Sequence, residues 1–139
     1  MTDETAPDFG AISFLVIEDD AFAQALAVDL LGQMGAKKVD VAKNGLDALG
    51  HLLPAKPPKD VLLVDLGMPD MGGAELMRHL ARRKYAGAIV LVSGADEDTL
   101  TIAQELAKLR GLNILGYITK PITKEALVDA LSRRHSDSK

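Results

Sequence analysis

The chain contains no cysteine and no tryptophan, and its aromatics amount to three Phe and two Tyr in 139 residues. Without cysteine there is no disulfide framework and no thiolate metal site, a usage compatible with a reducing compartment. With so few aromatics, the core must be built from Ala, Leu, Val, Ile and Met. Positive charge is not in excess either. The net charge of −4 offers no electrostatic footprint for nucleic acid, so direct nucleic-acid binding is not expected. The opening MTDETAPDFG has no apolar stretch of the signal-peptide kind, and no apolar run approaches the length of a membrane span. These absences leave a single domain of cytoplasmic type, long enough for a proper core.

Organisation follows from the apolar runs. Residues 1–11 read as a flexible N-terminal segment, 12–134 as the folded domain and 135–139 as a flexible tail. Within the domain, ISFLVI (12–17), KVDVA (38–42), DVLLVDL (60–66), AIVLVS (88–93) and NILGYI (113–118) are of strand length. Most are apolar throughout, as in strands covered on both faces. Helical segments lie between them. Phe22, Leu26, Leu30 and Met34 recur every fourth residue, and Gly35 follows as a stop. NGLDALGHLL (44–53) ends at Pro54, and GGAELMRHLARRK (72–84) is apolar at Leu76 and Leu80. EDTLTIAQELAKLR (97–110) ends at Gly111, and TKEALVDALSRR (123–134) begins on a Thr cap. Strict alternation of strand and helix predicts an α/β fold with a parallel sheet. Two such folds are open: a flavodoxin-like sheet and a half Rossmann domain. The latter needs Gly-x-Gly-x-x-Gly after its first strand. Here that place holds Glu18-Asp19-Asp20, which would repel a pyrophosphate.

Three adjacent carboxylates at a strand end pose a question of their own, since like charges repel and desolvating them costs more. In open parallel sheets, ligands bind beyond the carboxyl ends of the strands. The predicted third strand ends at Asp65, the fourth at Ser93, and Lys120-Pro121 follows the fifth. Each has a plain explanation when taken alone: Asp20 as a helix cap, Asp65 and Ser93-Gly94 as turns, Lys120 as a surface lysine. Taken together they share one sheet edge. A hard divalent cation relieves such acids, and Mg²⁺ characteristically combines one or two carboxylates with phosphate oxygens. A hydroxyl and an ammonium suit the remaining oxygens of a phosphoryl group, with a carboxylate as nucleophile.

In their order, LVIEDD, LLVDLGMPDMGG, VSG and YITKPI resemble the receiver domain of two-component response regulators, chemotaxis-regulator-like, over residues 12–134. The resemblance implies a flavodoxin-like (βα)5 fold, a doubly wound parallel sheet of strand order 2-1-3-4-5. It implies phosphoryl transfer from a sensor histidine kinase or phosphotransfer protein onto Asp65, with Mg²⁺ as cofactor and Mn²⁺ as a substitute. By position, Asp19 and Asp65 match direct metal ligands, Glu18 a ligand acting through water, and the Gly67 backbone carbonyl a further one. Ser93 and Lys120 match the groups that contact the phosphoryl oxygens, and Tyr117 the aromatic switch coupled to Ser93. The signal then leaves through the face of the fourth helix, fifth strand and fifth helix. That face would engage a downstream protein, an output domain or a second copy as a homodimer. The resemblance implies self-phosphorylation and slow self-dephosphorylation rather than turnover of a separate substrate.

Departures from the family pattern are few. The acidic pair is Glu-Asp rather than Asp-Asp, and Gly67 and Gly94 leave the site without neighbouring side chains. AQELAKLRGLNILG (103–116) is several residues long for a compact receiver, predicting a lengthened fourth helix or following loop. This segment is similar to receivers joined to cyclic-di-GMP phosphodiesterase domains. Other readings are a metal-dependent hydrolase using the same acids and a phosphorylation-independent binding module. His51, His79 and His135 read as surface residues remote from the acids, and the RHLARRK turn (78–84) as cations at a helix end.

Overall fold

The computed structural model describes residues 9–52, 59–67, 73–94 and 97–136, with the backbone alone at 97 and 134–136. Five strands run β1 Ser13–Ile17, β2 Lys38–Ala42, β3 Val61–Asp65, β4 Ala88–Ser93 and β5 Asn113–Thr119. The helices are α1 Ala21–Gln33, α2 Gly45–His51, α3 Gly73–Arg82, α4 Glu97–Leu109 and α5 Lys124–Ser136. All strand pairings are parallel and the order is β2-β1-β3-β4-β5, the flavodoxin-like arrangement. Phe9–Ala11 form a short 3-10 turn whose Phe9 packs on the core. The Pro54 stop lies outside the described residues, as do Met68-Pro69 and Gly72 of the LLVDLGMPDMGG stretch.

The apolar strands have a plain cause. Phe14 and Val16 point into one core with Val61, Leu63, Val90 and Val92, while Leu15 and Ile17 join Leu62, Val64, Ile89 and Leu91 on the other side. Helices α1 and α5 close the first core through Leu31, Leu127 and Leu131, and α2, α3 and α4 close the second through Ala48, Leu76, Leu80 and Ala107. Side chains alternate along a strand, so covering both faces demands an unbroken apolar run. Edge strand β2 escapes that demand: Lys38, Asp40 and Val41 are exposed.

The Phe22–Leu26–Leu30–Met34 stripe packs on the core through Leu30 and Met34. Ala27 and Leu31 are the buried residues of α1, and Phe22 is 77% exposed. Spacing at every fourth residue drifts around a helix with 3.6 residues per turn, so the stripe leaves the core at its N-terminal end. The long 103–116 segment is partly absorbed within β5: Ile89 aligns with Ile114 but Val90 with Gly116, which inserts Leu115 as a bulge. Leu115 and Ile118 face the α1–α5 core while Ile114 and Tyr117 face the other, so the alternation reverses phase across Gly116. Arg133 of α5 donates to the Leu115 carbonyl at 3.1 Å, and its guanidinium fills the space where a Cβ at Gly116 would sit.

Candidate functional site

Chain direction brings the acids together. From β1 the chain goes to one side for β2 and to the other for β3, so the strand order reverses between β1 and β3, where a crevice opens. Glu18 leaves β1 at that point and Asp65 ends β3 beside it. Both are buried, at 3% and 4% exposure, whereas Asp19 points to solvent. One carboxylate oxygen from each of Glu18, Asp19 and Asp65 lies within 4.8 Å of the others.

Asp20 does the work of a cap. Its carboxylate accepts from the Ala23 amide at 2.8 Å and starts α1. The turn before it is held by Glu18, whose Oε2 accepts from the Asp20 amide at 3.1 Å, and by Gln24, whose side-chain amide donates to the Glu18 carbonyl at 3.1 Å. Gln24 went unnoticed in the sequence. Its only signal there is a position one helical turn past the cap, where a side chain can reach back.

Lys120 closes the site from β5. Its ammonium lies 2.9 Å from Glu18 Oε1 and 3.3 Å from Asp65 Oδ2. The cis Lys120-Pro121 bond follows, and the Lys120 amide donates to the Ser93 carbonyl at 2.9 Å. The second Asp65 oxygen accepts from the Gly67 amide at 2.9 Å. Beneath the carboxylates a small cleft is lined by Val16, Leu63, Val92 and Ile122. This apolar floor pushes Glu18 up to about 6, chiefly by desolvation and secondarily by its hydrogen bond with Asp65; Lys120 opposes the shift. Burial alone would lower the pKa of Lys120, but its hydrogen bond to Glu18 and the charge of Asp65 outweigh that and hold it above its ordinary value.

The remaining expected residues lie nearby in register. Asp65 aligns with Val92, so Ser93 sits one residue beyond it at the end of β4, buried. Ser93 aligns with Thr119, and Tyr117 with Leu91, partly buried against the α3–α4 side. Gly67 has its amide on Asp65. His51 and His79 belong to the last turns of α2 and α3, at the far ends of those helices from the strand ends that hold the acids.

Local packing explains one glycine. A Cβ at Gly73 would lie 2.7 Å from the Asp65 carbonyl oxygen and from Leu66 Cα. Helix α3 therefore starts against the backbone that carries Asp65, and only glycine allows that approach.

Donor chemistry fits a hard cation. Three carboxylates converge on one point, two of them are buried, and one lysine is their only close cation among the described residues.

The sequence pattern of the response regulator receiver domain matches residues 14–132, and the chain belongs to that family. It is 31% identical over 118 residues to a protein-glutamate methylesterase/protein-glutamine glutaminase from Archaeoglobus fulgidus, covering 85% of this chain and 32% of that protein. It is 35% identical over 118 residues to the cell cycle response regulator CtrA of Brucella ovis, covering 82% and 46%. The chain thus spans about a third to a half of these curated relatives. A crystal structure of a response regulator from Colwellia psychrerythraea superposes with a TM-score of 0.74 at 32% identity, covering 88% of this chain and 98% of that one. A receiver domain from Methanospirillum hungatei, at 20% identity and the same TM-score, shares the fold. The chain is thus a two-component receiver domain, and among its described residues no helix is long and apolar enough to cross a membrane.

Proposed function

We propose that this receiver takes a phosphoryl group onto Asp65 from a phosphohistidine of a sensor histidine kinase or phosphotransfer protein. An Asp65 carboxylate oxygen attacks phosphorus, the P–N bond breaks, and the imidazole leaves with the bonding pair. The product on Asp65 is an acyl phosphate. The observation that carries this reading is the convergence of Glu18, Asp19 and Asp65 within 4.8 Å, with Lys120 on the two buried members. Asp19, Asp65 and the Gly67 carbonyl would hold Mg²⁺ or Mn²⁺ directly, and Glu18 through water. When bound, the cation neutralises charge on the attacking carboxylate and the incoming phosphoryl oxygens.

Lys120 then exchanges part of its contact with Asp65 for a phosphoryl oxygen, and the Ser93 hydroxyl offers a second donor. Both contacts exist only in the phosphorylated state, which is what biases a two-state element. Tyr117 turns with Ser93, and the α4–β5–α5 face changes for a downstream protein, an output domain or a second copy. The test is incubation with acetyl phosphate or phosphoramidate, followed by intact mass. One phosphoryl group per chain is expected with Mg²⁺, none with EDTA and none on Asp65→Asn. Equal labelling of the variant, or labelling that survives EDTA, contradicts the reading.

A further inference from the structure

We propose that Gln24 makes the acidic site selective for Mg²⁺, by fixing the peptide plane from which Asp19 projects. The proposal rests on the reading above, in which Asp19 holds the cation directly, and it names what sets the direction of that carboxylate.

Of the three acids, Asp19 is the least restrained. The Asp65 carboxylate is held by the Gly67 amide and the Lys120 ammonium, and the Glu18 carboxylate by the Asp20 amide and Lys120. The Asp19 carboxylate faces solvent with no protein partner among the described residues, so its direction is inherited from the backbone. The strand ladder stops just short of it. The Glu18 amide still donates to the Ala42 carbonyl at 3.0 Å, while the pairing of β1 with β3 ends at Ile17 and Val64. The Glu18 carbonyl has left the sheet, and the Gln24 side chain is the one donor that the described residues offer it, at 3.1 Å. That carbonyl shares a rigid planar unit with the Asp19 amide. Holding its oxygen fixes the plane before Asp19, and Glu18 Oε2 on the Asp20 amide fixes the plane after it. With both planes held, the backbone rotations of Asp19 are set. Gln24 reaches back from a firm base, since its own amide donates to the Asp20 carbonyl at 2.9 Å in the first turn of α1.

Rigidity of this kind matters more to one cation than to another. Mg²⁺ demands near-ideal octahedral geometry whereas Ca²⁺ accepts a flexible one, so selectivity between them follows the freedom of the ligands to move. Groups that orient a metal ligand without touching the metal change affinity by about 10–100-fold when removed. Without Gln24, the carbonyl of buried Glu18 has lost its donor, and its plane turns toward water to recover one. The Asp19 carboxylate turns with it. Ca²⁺ can follow that displacement and Mg²⁺ cannot. Gln24 is thus a positioning residue, acting through the Glu18–Asp19 peptide and not on the cation itself.

Isothermal titration calorimetry with Mg²⁺ and with Ca²⁺ tests this on the whole chain, comparing wild type, Gln24→Met, Gln24→Asn and Gln24→Arg. Met keeps the reach and helix propensity of Gln but cannot donate, and the Asn amide falls one methylene short; Arg can donate. Gln24→Met and Gln24→Asn should each weaken Mg²⁺ binding by about tenfold and Ca²⁺ binding much less, so the ratio of the two affinities falls. Gln24→Arg should restore the ratio, because its added charge repels both divalent ions alike. Metal-free melts confirm that each variant is folded before titration. Unchanged Mg²⁺ affinity in Gln24→Met and Gln24→Asn overturns the proposal, as do equal losses for the two ions, the mark of a merely structural bond. So does a Gln24→Arg ratio as low as that of Gln24→Met. Phosphodonor labelling of the same samples keeps the two readings apart. A wild type with the expected cation selectivity that takes no label sinks the phosphorylation reading alone. A labelled wild type whose selectivity is indifferent to Gln24 sinks this one alone, and a wild type that binds no Mg²⁺ sinks both.

Discussion

Adjacent aspartates at the end of β1 have different tasks, and substitution should separate them. Asp20 caps α1 through the Ala23 amide, so Asp20→Ala should cost about 1 kcal/mol of stability and leave the metal response in place. Asp19 caps nothing among the described residues and faces solvent beside two buried carboxylates. Asp19→Asn should therefore keep or raise stability without metal. It should also remove the stabilisation of about 2.7 kcal/mol expected from Mg²⁺ at a hundred times its dissociation constant. Thermal melts of both variants with and without Mg²⁺ check this; a cap effect at Asp19 or a lost metal response at Asp20 would reverse the assignment. Glu18 adds a pH dependence. Its folded pKa of about 6 lies above its ordinary value of 4.5, so folding favours its protonated form. That contribution is complete below pH 4.5 and is lost as pH rises through 6, worth about 2 kcal/mol in metal-free protein. Denaturant midpoints of the wild type, compared with Glu18→Gln across this window, should show the slope in the first and not in the second.

At the scale of elements, the glycines that start α3 and follow β4 make a sharp contrast. Gly73→Ala puts a methyl 2.7 Å from two backbone atoms of β3's exit, so about 1–3 kcal/mol of destabilisation is expected. Gly94→Ala meets nothing within 4 Å among the described residues and should stay within about 0.5 kcal/mol of wild type. Chemical denaturation distinguishes the two, and equal effects would refute the proposed crowding under Asp65. The same elements show what could be read from the sequence. β2 and β4 were legible to the residue because run length and flanking turns are local properties. The strand-end set Glu18, Asp19, Asp65, Ser93 and Lys120 was legible because a parallel sheet delivers all such ends to one edge. The buried face of α1 was not, since Ala27 carries little apolar signal beside Phe22 although burial there needs a small residue. The bulge at Leu115 was not either. Its carbonyl is held by Arg133, 18 residues away in sequence, which only the folded helix α5 brings near. Nor could Lys120's bridge between Glu18 and Asp65 be foreseen, because spacing along the chain carries no distance across 55 residues.

For the molecule as a whole, the sheet acts as a rigid frame that holds three acids and a lysine at its strand-order reversal, with α4 and α5 on opposite faces around β5. Ser93 and Lys120, through which the proposed function would carry a change at Asp65 to that far edge, have their backbones joined by a 2.9 Å hydrogen bond. The proposed function depends on Asp65 being the phosphoacceptor. The most direct measurement is to expose the chain to acetyl phosphate with Mg²⁺, reduce it with borohydride, and sequence the peptides by mass spectrometry. Borohydride converts an acyl phosphate on aspartate to homoserine and leaves free carboxylates alone. The account predicts homoserine at position 65, with Glu18, Asp19 and Asp20 unchanged. Homoserine at another aspartate, or none at all in folded protein with Mg²⁺ present, would contradict it.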